Sequence, residues 1–388
     1  MSNLWDVIVV GAGPAGSAAA LSALRVRPGS SVLMLERADF PRDKCCGDGI
    51  APHVLDVLTS LGLPESFEDY RPVHRLHLGY LHGAGRSTSG RMARPACVVP
   101  REVFDARLVA AAVGHGARLR QHTVRTVEMR PDRVVLDGTI SGRVVVAADG
   151  AESVLRRRLG FHRNGYGHLA VAIRGYAPVL RELRHEQRIV FGRGDWPAYA
   201  WSFPIGDGRA NVGYGEVLRP RRPLSRAHLM ERLEALLPGA AGGAVRWRAH
   251  HLPLSSQRPR QPSGRVLLAG DALSLVNPMT GEGIYYAVLS GACAGATAVL
   301  AGHSGDPGAS YRSELRRQLG RHLRHTSMAA RLARHSRVVD GALQGAGRDP
   351  ATFNALVELG LGRGLLTPRA LAATAAGLLA SQRPQQPD

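Results

Sequence analysis

Gly11-Ala12-Gly13-Pro14-Ala15-Gly16 lies between an apolar β run at residues 5–10 and an alanine-rich stretch at 17–24, and it constrains this chain more than any other feature. Gly11 permits a tight turn, Gly13 lets the backbone approach a pyrophosphate, and Gly16 lets helix and strand pack closely. The positive end of the helix adds attraction for phosphate. A second β run at 31–36 ends in Glu36, 20 residues after Gly16, where a carboxylate grips adenosine ribose hydroxyls. Strand, loop, helix and strand in this order open a parallel α/β sheet, so a Rossmann-like dinucleotide site is expected here. The plain alternative, a glycine-rich structural turn, does not explain Glu36.

The chain has 388 residues, enough for two or three domains around a large core. No signal peptide is expected, since the start is not basic and Asp6 interrupts the first apolar run, and no stretch is expected to span a bilayer. A cytoplasmic protein is expected. Four cysteines (Cys45, Cys46, Cys97 and Cys293) form no CxxC pair, so neither a disulfide scaffold nor structural zinc is expected. The net charge is +19, but of 50 basic residues only Lys44 is a lysine. That ratio fits a GC-rich, bacterial coding bias. With no nucleic-acid-binding motif present, no nucleic-acid partner is expected. Against that background, Lys44 stands out as an ammonium that chemistry could require.

Two later motifs narrow the dinucleotide. Val145 to Ser153 carries Asp149-Gly150 after a buried β run, and Leu268-Ala269-Gly270-Asp271-Ala272 carries a second strand-end Asp. In this order they resemble the fingerprints of the flavoprotein hydroxylase superfamily. That resemblance implies FAD, with Asp271 on the ribityl chain and Arg101 as a further contact. It also implies a p-hydroxybenzoate hydroxylase-like fold: a Rossmann-like FAD-binding domain, an antiparallel β-sheet substrate domain and a helical C-terminal region. The cofactor half is expected from residues 1–72, 98–160 and 260–305, and the substrate sheet from 73–97 and 161–259. Helices are expected at 306–380 and a disordered polar tail at 381–388. Pro14, Ala15, Arg37 and Val124 are expected to complete the FAD surroundings. Asn277 to Ile284 opens a helix, and Pro278, Gly281, Gly283 and Ile284 would offer its positive end to the flavin ring.

Pro41 to Gly49, containing Cys46-Gly47-Asp48-Gly49, is similar to the Pro-x-x-x-x-Cys-Gly-Gly loop of geranylgeranyl reductases, and closer still to their menaquinone-reductase branch. Asp48 replaces the second glycine of the pattern. Tyr199-Ala200-Trp201-Ser202-Phe203-Pro204, with eight residues before Gly213-Tyr214-Gly215, matches that family's second signature. On a strand, Tyr199, Trp201 and Phe203 share one face, a local concentration in a chain only 5% aromatic. Such a wall suits a long apolar substrate, although plain core packing would need the same residues. The resemblance implies hydride transfer from reduced FAD to a C=C bond of an isoprenoid. Cys46 and Gly47 would lie at the flavin, and Cys46 would donate or position a proton. Asp48 and Lys44 would tune it, in a net direction the sequence leaves open. A second dinucleotide motif is absent: Gly360 to Gly364 follows no clear strand. Electrons would come from NAD(P)H or from a separate reductase, reduced flavin or ferredoxin.

The alternative is a flavin monooxygenase, or a halogenase-like tailoring enzyme of secondary metabolism. Its Trp-x-Trp-x-Ile-Pro signature is only partly met by Trp201 to Pro204. A non-catalytic FAD-stabilised scaffold is a third reading, which intact loops at both ends of the flavin oppose. A basic helix is expected at 313–337, with Leu315, Leu319 and Leu323 packed inward. Its arginines would meet lipid headgroups or simply solvent. His322 and His325, on one face of that helix, are expected at the surface.

Overall fold

A computed structural model describes residues 4–64, 66–81, 86–192, 197–220, 224–303 and 305–380; the expected tail at 381–388 lies outside them. The chain opens with β1 (Trp5–Val10), α1 (Pro14–Val26), β2 (Val32–Glu36), β3 (Gly49–Ile50) and α2 (Pro52–Ser60). Then come β4 (Val73–Leu81), β5 (Arg86–Val98), α3 (Arg101–Gly114), β6 (Arg118–Gln121), β7 (Val127–Met129), β8 (Val134–Leu136), β9 (Ile140–Ala147) and α4 (Val154–Arg158). The middle holds β10 (Leu169–Pro178), β11 (Glu186–Gly192), β12 (Ala198–Pro204), β13 (Arg209–Val217), α5 (Arg226–Leu236), β14 (Val245–Pro253) and β15 (Val266–Leu268). Five helices close the chain: α6 (Ile284–Ala301), α7 (Pro307–Leu332), α8 (Ser336–Arg348), α9 (Pro350–Leu361) and α10 (Pro368–Ala380).

Two sheets result. The first runs β6-β2-β1-β9-β8-β7, with β15 also beside β9. Its strands β6, β2, β1, β9 and β15 are parallel, and fully buried runs such as Val7–Val10 and Val144–Ala147 are what a sheet covered on both faces requires. The second runs β14-β10-β13-β12-β11-β4-β5-β3. It is antiparallel except where β4 and β11 pair in parallel, and β3, drawn from the cofactor half, joins its edge. That exchange puts the Cys46 loop against the second sheet. One face of the sheet is covered by α5, and toward β5 the other packs on α8 and α9.

Three expectations are corrected here. By length and composition α6 could cross a membrane, which no stretch was expected to do; two thirds of it is buried in the protein as a core helix against α1. The basic helix expected at 313–337 ends at Leu332, and Ser336 starts another. Its leucines behave as expected: Leu319 and Leu323 are buried, with Leu315 packed beside them. His322 is buried rather than exposed.

Helices α1 and α6 touch backbone to backbone. A Cβ on Gly295 would stand 2.0 Å from Ala19 O, and one on Gly291 2.0 Å from Ala15 O. Gly295→Ala must therefore push the helices apart, at an expected cost of about 2–3 kcal/mol. A lower thermal midpoint with weakened flavin retention checks this; unchanged values would contradict the close contact.

Candidate active site

A cavity of about 840 Å³ lies between the two sheets. It brings together Gly11, Gly13, Pro14, Ala15, Glu36, Arg37, Arg101, Val124, Asp149, Gly150, Asp271, Pro278, Gly281, Gly283 and Ile284, segments spread across the sequence. Gly16 and Gly270 lie beneath its wall. Gly11 has φ +94°, and a Cβ there would stand 2.3 Å from Ala148 O, so the turn from β1 into α1 tolerates no side chain. Glu36 accepts hydrogen bonds from the backbone N–H groups of Ala12, Arg37 and Ala38 at 2.9 to 3.2 Å, which fixes its carboxylate at the end of β2. Asp149 accepts from Val154 N at 2.8 Å, capping α4.

The cavity wall fits a dinucleotide. The open side of Gly13 is faced by two guanidinium groups, with Arg42 3.4 Å and Arg101 4.0 Å from where its Cβ would be. Arg101 is buried, anchored bidentately on Asp105 at 2.7 and 2.8 Å. Arg42 spans Glu36 and Asp105. Three atoms on this wall (Arg42 Nε, Asp149 Oδ1 and His250 Nε2) are buried without a protein partner among the described residues. Burial, with Lys44 nearby, pushes His250 down to about 4, so its imidazole is neutral. Two cations at a bare glycine suit a pyrophosphate, and the unpartnered atoms leave polar capacity for a flavin dinucleotide.

The loop from Pro41 to Gly49 is held by a buried polar network. Arg174 on β10, fully buried, donates to Asp43 Oδ1 at 2.5 Å, to Lys44 O at 2.9 Å and to Cys46 O at 3.3 Å. Asn211 on β13 donates to Cys46 O at 2.8 Å and to Asp48 Oδ2 at 2.7 Å. Tyr176 donates its hydroxyl to the same carboxylate at 2.6 Å. Asp48 has φ +61°, a left-handed conformation that Asp and Asn tolerate better than most side chains, which is how it stands in for a glycine. It serves as the anchor of the loop.

Cys46 is enclosed by this arrangement. Burial pushes its thiol up, and the Arg101 guanidinium opposes that pull. The direction left open by the sequence is therefore upward, which keeps the thiol protonated at neutral pH. Lys44, expected to act on Cys46, instead places Nζ 3.4 Å from Asp271 Oδ2. Cys45 also lines the cavity; its thiol donates to Arg248 O at 3.2 Å, and burial pushes it up to about 12.

Opposite the loop stand the three aromatics of β12, in tilted contact along one face, with ring centroids 5.9 Å apart for Tyr199–Trp201 and 6.4 Å for Trp201–Phe203. Trp201 lies across Gly213, where a Cβ would come within 2.3 Å of its ring; this is why the trailing Gly-x-Gly accompanies the aromatic strand. Gly47 sits against them, 3.3 Å from the Phe203 ring by the same measure. Tyr199 donates its hydroxyl to Thr280 O, joining this wall to the loop before α6.

Sequence reasoning missed several members of the site. Arg42 occupies an unspecified position of the Pro41–Gly49 loop, and Arg174 and Asn211 belong to no motif. Glu282 lines the cavity, caps α6 through Tyr285 N at 2.8 Å, and burial pushes its carboxyl up to about 7. The loop before α6 is also held from behind. Asn277 donates to the carbonyls of Leu359 and Gly360 at 3.2 Å, and Thr280 donates to Gly360 O at 2.7 Å. His322, hydrogen-bonded to Tyr286 and Gly364 O at 2.6 Å, completes that buried joint.

Fold and cleft together define a flavin-dependent oxidoreductase. Residues 5–308 match the FAD binding domain family. Menaquinone reductase from Mycolicibacterium smegmatis is 36% identical over 322 residues, covering 75% of each chain. Digeranylgeranylglycerophospholipid reductase 1 from Methanopyrus kandleri is 33% identical over 327 residues, 79% of this chain and 84% of that one. Among solved structures, a geranylgeranyl bacteriochlorophyll reductase-like protein from Thermoplasma acidophilum superposes with a TM-score of 0.75 at 20% identity, over 98% of each chain. The chain belongs to the geranylgeranyl-reductase-like family of FAD-dependent oxidoreductases.

Burial pushes the Asp48 carboxyl up to about 6, above its ordinary 3.8. The folded protein thus holds this proton more tightly than the unfolded chain does. The stability the carboxyl contributes is complete below about pH 4 and is lost as pH rises through about 6. Asp48→Asn carries no such titration and suits the same backbone. Between pH 4 and 7.5 its unfolding free energy, relative to the parent, is expected to shift in the variant's favour by roughly 2–3 kcal/mol. Urea titrations at the two pH values measure this, and a pH-independent difference would contradict it.

Proposed function

We propose that this enzyme saturates a C=C bond in a hydrophobic, isoprenoid substrate. One observation carries the reading: the Cys46–Gly47 backbone stands directly against an aromatic wall inside the FAD cleft. Both sequence relatives above are named as reductases, which supports reduction over oxygen insertion. The flavin, when bound and reduced, supplies the hydride for one carbon of the alkene. Cys46, held protonated by burial, donates the proton to the other carbon, and the Arg101 guanidinium stabilises the resulting thiolate. Arg42 and Arg101 would hold the pyrophosphate, Glu36 the adenosine ribose and Asp271, paired with Lys44, the ribityl chain. The N-terminus of α6, which borders the cavity, would offer a favourable field to negative charge on a bound flavin. Tyr199, Trp201 and Phe203 orient the chain of the substrate and exclude water.

Electrons arrive from transiently bound NAD(P)H or from a separate reductase or ferredoxin. Gly360 to Gly364 lies at the end of α9 rather than after a strand. We place the enzyme in the cytoplasm, touching an anionic membrane surface through α7 and the start of α8. Arg316, Arg321, Arg324, Arg331, Arg334 and Arg337 are all exposed there, and apolar substrates reside in membranes. Replacing Arg321, Arg324 and Arg331 by Gln is expected to cut co-sedimentation with anionic liposomes several-fold; unchanged binding would contradict the placement.

Anaerobically reduced enzyme is expected to be reoxidised by a polyprenyl alkene that gains two hydrogens. Substrate-accelerated oxygen uptake with gain of an oxygen atom would overturn the reading. Cys46→Ala is expected to lower turnover by about 10²-fold or more while binding FAD normally. Undiminished turnover would remove Cys46 from the proton step.

A further inference from the structure

We propose that α10 is an interfacial anchor: its uncovered apolar face sinks among the headgroups and first acyl carbons of an anionic bilayer, lying flat rather than crossing it. The inference rests on the membrane placement proposed above and adds the element that enters the lipid, a role the exposed arginines of α7 and α8 do not fill.

Helix α10 reads Pro-Arg-Ala-Leu-Ala-Ala-Thr-Ala-Ala-Gly-Leu-Leu-Ala, and its one charge is Arg369 in the first turn. Its other polar side chain, Thr374, returns its hydroxyl to Ala370 O at 2.7 Å. A helix with no polar face needs cover on every side. One side has it: a Cβ on Gly377 would stand 2.4 Å from Gly341 O, and one on Gly341 2.6 Å from Thr374 O, so α10 and α8 meet backbone to backbone. The other side is bare. Leu371, Ala372, Ala375, Ala376 and Leu379 form a single stripe by their helical spacing, and all five are exposed, Leu371 at 45% and Leu379 at 68%. Residues 381–388 are polar in sequence and offer the stripe no apolar cover. A helix of 13 residues is too short to span a bilayer, which leaves the interface.

Charge decides between lipid and a second copy of the chain. Helices α8 and α10 run antiparallel, with Gly341 against Leu378 and Gly345 against Ala373. The stripe is therefore framed by exposed arginines at the two ends of α8, Arg337 toward Leu379 and Arg348 toward Leu371, with Arg334 in the turn before α8. The carboxylates along this edge have cations of their own, Asp349 with Arg369 at 2.9 Å and Asp340 with Arg86 at 3.9 Å. Pairing two copies stripe to stripe would set these arginines against their own images in a chain of net charge +19, whereas anionic headgroups neutralise them.

The anchor also stands behind the aromatic wall, the part of the cleft proposed for the isoprenoid. Val339 and Leu343 of α8 and Phe353 and Val357 of α9 share one apolar cluster with Phe191, and Tyr199 and Phe203 pack against it. Lipid at α10 is thus separated from the substrate wall by a layer of apolar side chains from α8 and α9.

The test uses the FAD-loaded enzyme and vesicles of equal parts phosphatidylglycerol and phosphatidylcholine. Leu379→Trp is expected to lose fluorescence when the lipids carry bromine on their acyl chains, beyond any loss seen for the parent. Parent enzyme bound at low salt is expected to stay bound in about 0.5 M sodium chloride, where attraction between exposed charges is screened. Leu371→Gln combined with Leu379→Gln is expected to weaken binding at that salt by about tenfold or more. Unchanged FAD content and thermal midpoint confirm that the variants fold. Full release of the parent by salt, no bromine quenching at position 379, or a double variant that binds like the parent would overturn the anchor while leaving the arginine contact standing. A stable dimer of the parent that the double substitution splits into monomers would assign the stripe to a second copy and overturn it as well. A parent that binds these vesicles at neither salt concentration overturns the membrane placement and this inference with it.

Discussion

The buried ion pair between Arg174 and Asp43 holds the site together. A guanidinium out of contact with water is costly unless its donors are met, and here they are met by a carboxylate and by main-chain carbonyls of one loop. The loop is thereby bound to the second sheet, although its neighbours in sequence belong to the first. Asn211, Tyr176 and Asp48 extend the same clamp from both sides. The position of the Cys46 thiol, its enclosure and its protonated state all follow from this arrangement. Removing either member of the pair would strand the other as an uncompensated charge, so the network is committed to one geometry.

The cofactor half was legible because its chemistry is local. Gly11 to Gly16, Asp149-Gly150 and Gly270-Asp271 each complete a strand-to-helix turn within a few residues, and backbone demands at such turns leave few choices of side chain. The aromatic strand was legible for a similar reason, since period-two alternation fixes which side chains share a face. The clamp was not, because its partners are separated by 128 to 165 residues and nothing in either segment announces the other. Arg42 was hidden among so many arginines that composition gave no contrast. Lys44 had contrast, yet its reach to Asp271 depends on a fold that brings 44 and 271 together. The break after Leu332 was obscured because the arginine pattern continues across it.

Electrostatics divide the cavity into two environments. Fixed cations gather where phosphates and the ribityl chain are expected, while the wall opposite is built largely of aliphatic and aromatic groups. Such a division lets one cleft accept a polyanionic cofactor and a greasy substrate without placing the charges of one in the surroundings of the other. It also accounts for a thiol whose burial outweighs the pull of a neighbouring guanidinium.

The joint between the end of α9 and the loop before α6 has a bearing on how the protein is made. The carbonyls of Leu359 and Gly360 hold Asn277 and Thr280, and the first sheet itself receives β15 only after the whole second sheet has been synthesised. A chain emerging from the ribosome therefore displays its nucleotide-binding turn early but lacks the far wall of the cleft until nearly all of its length is out. Cofactor capture is a late event in the biogenesis of this enzyme, and a nascent or truncated chain would remain colourless.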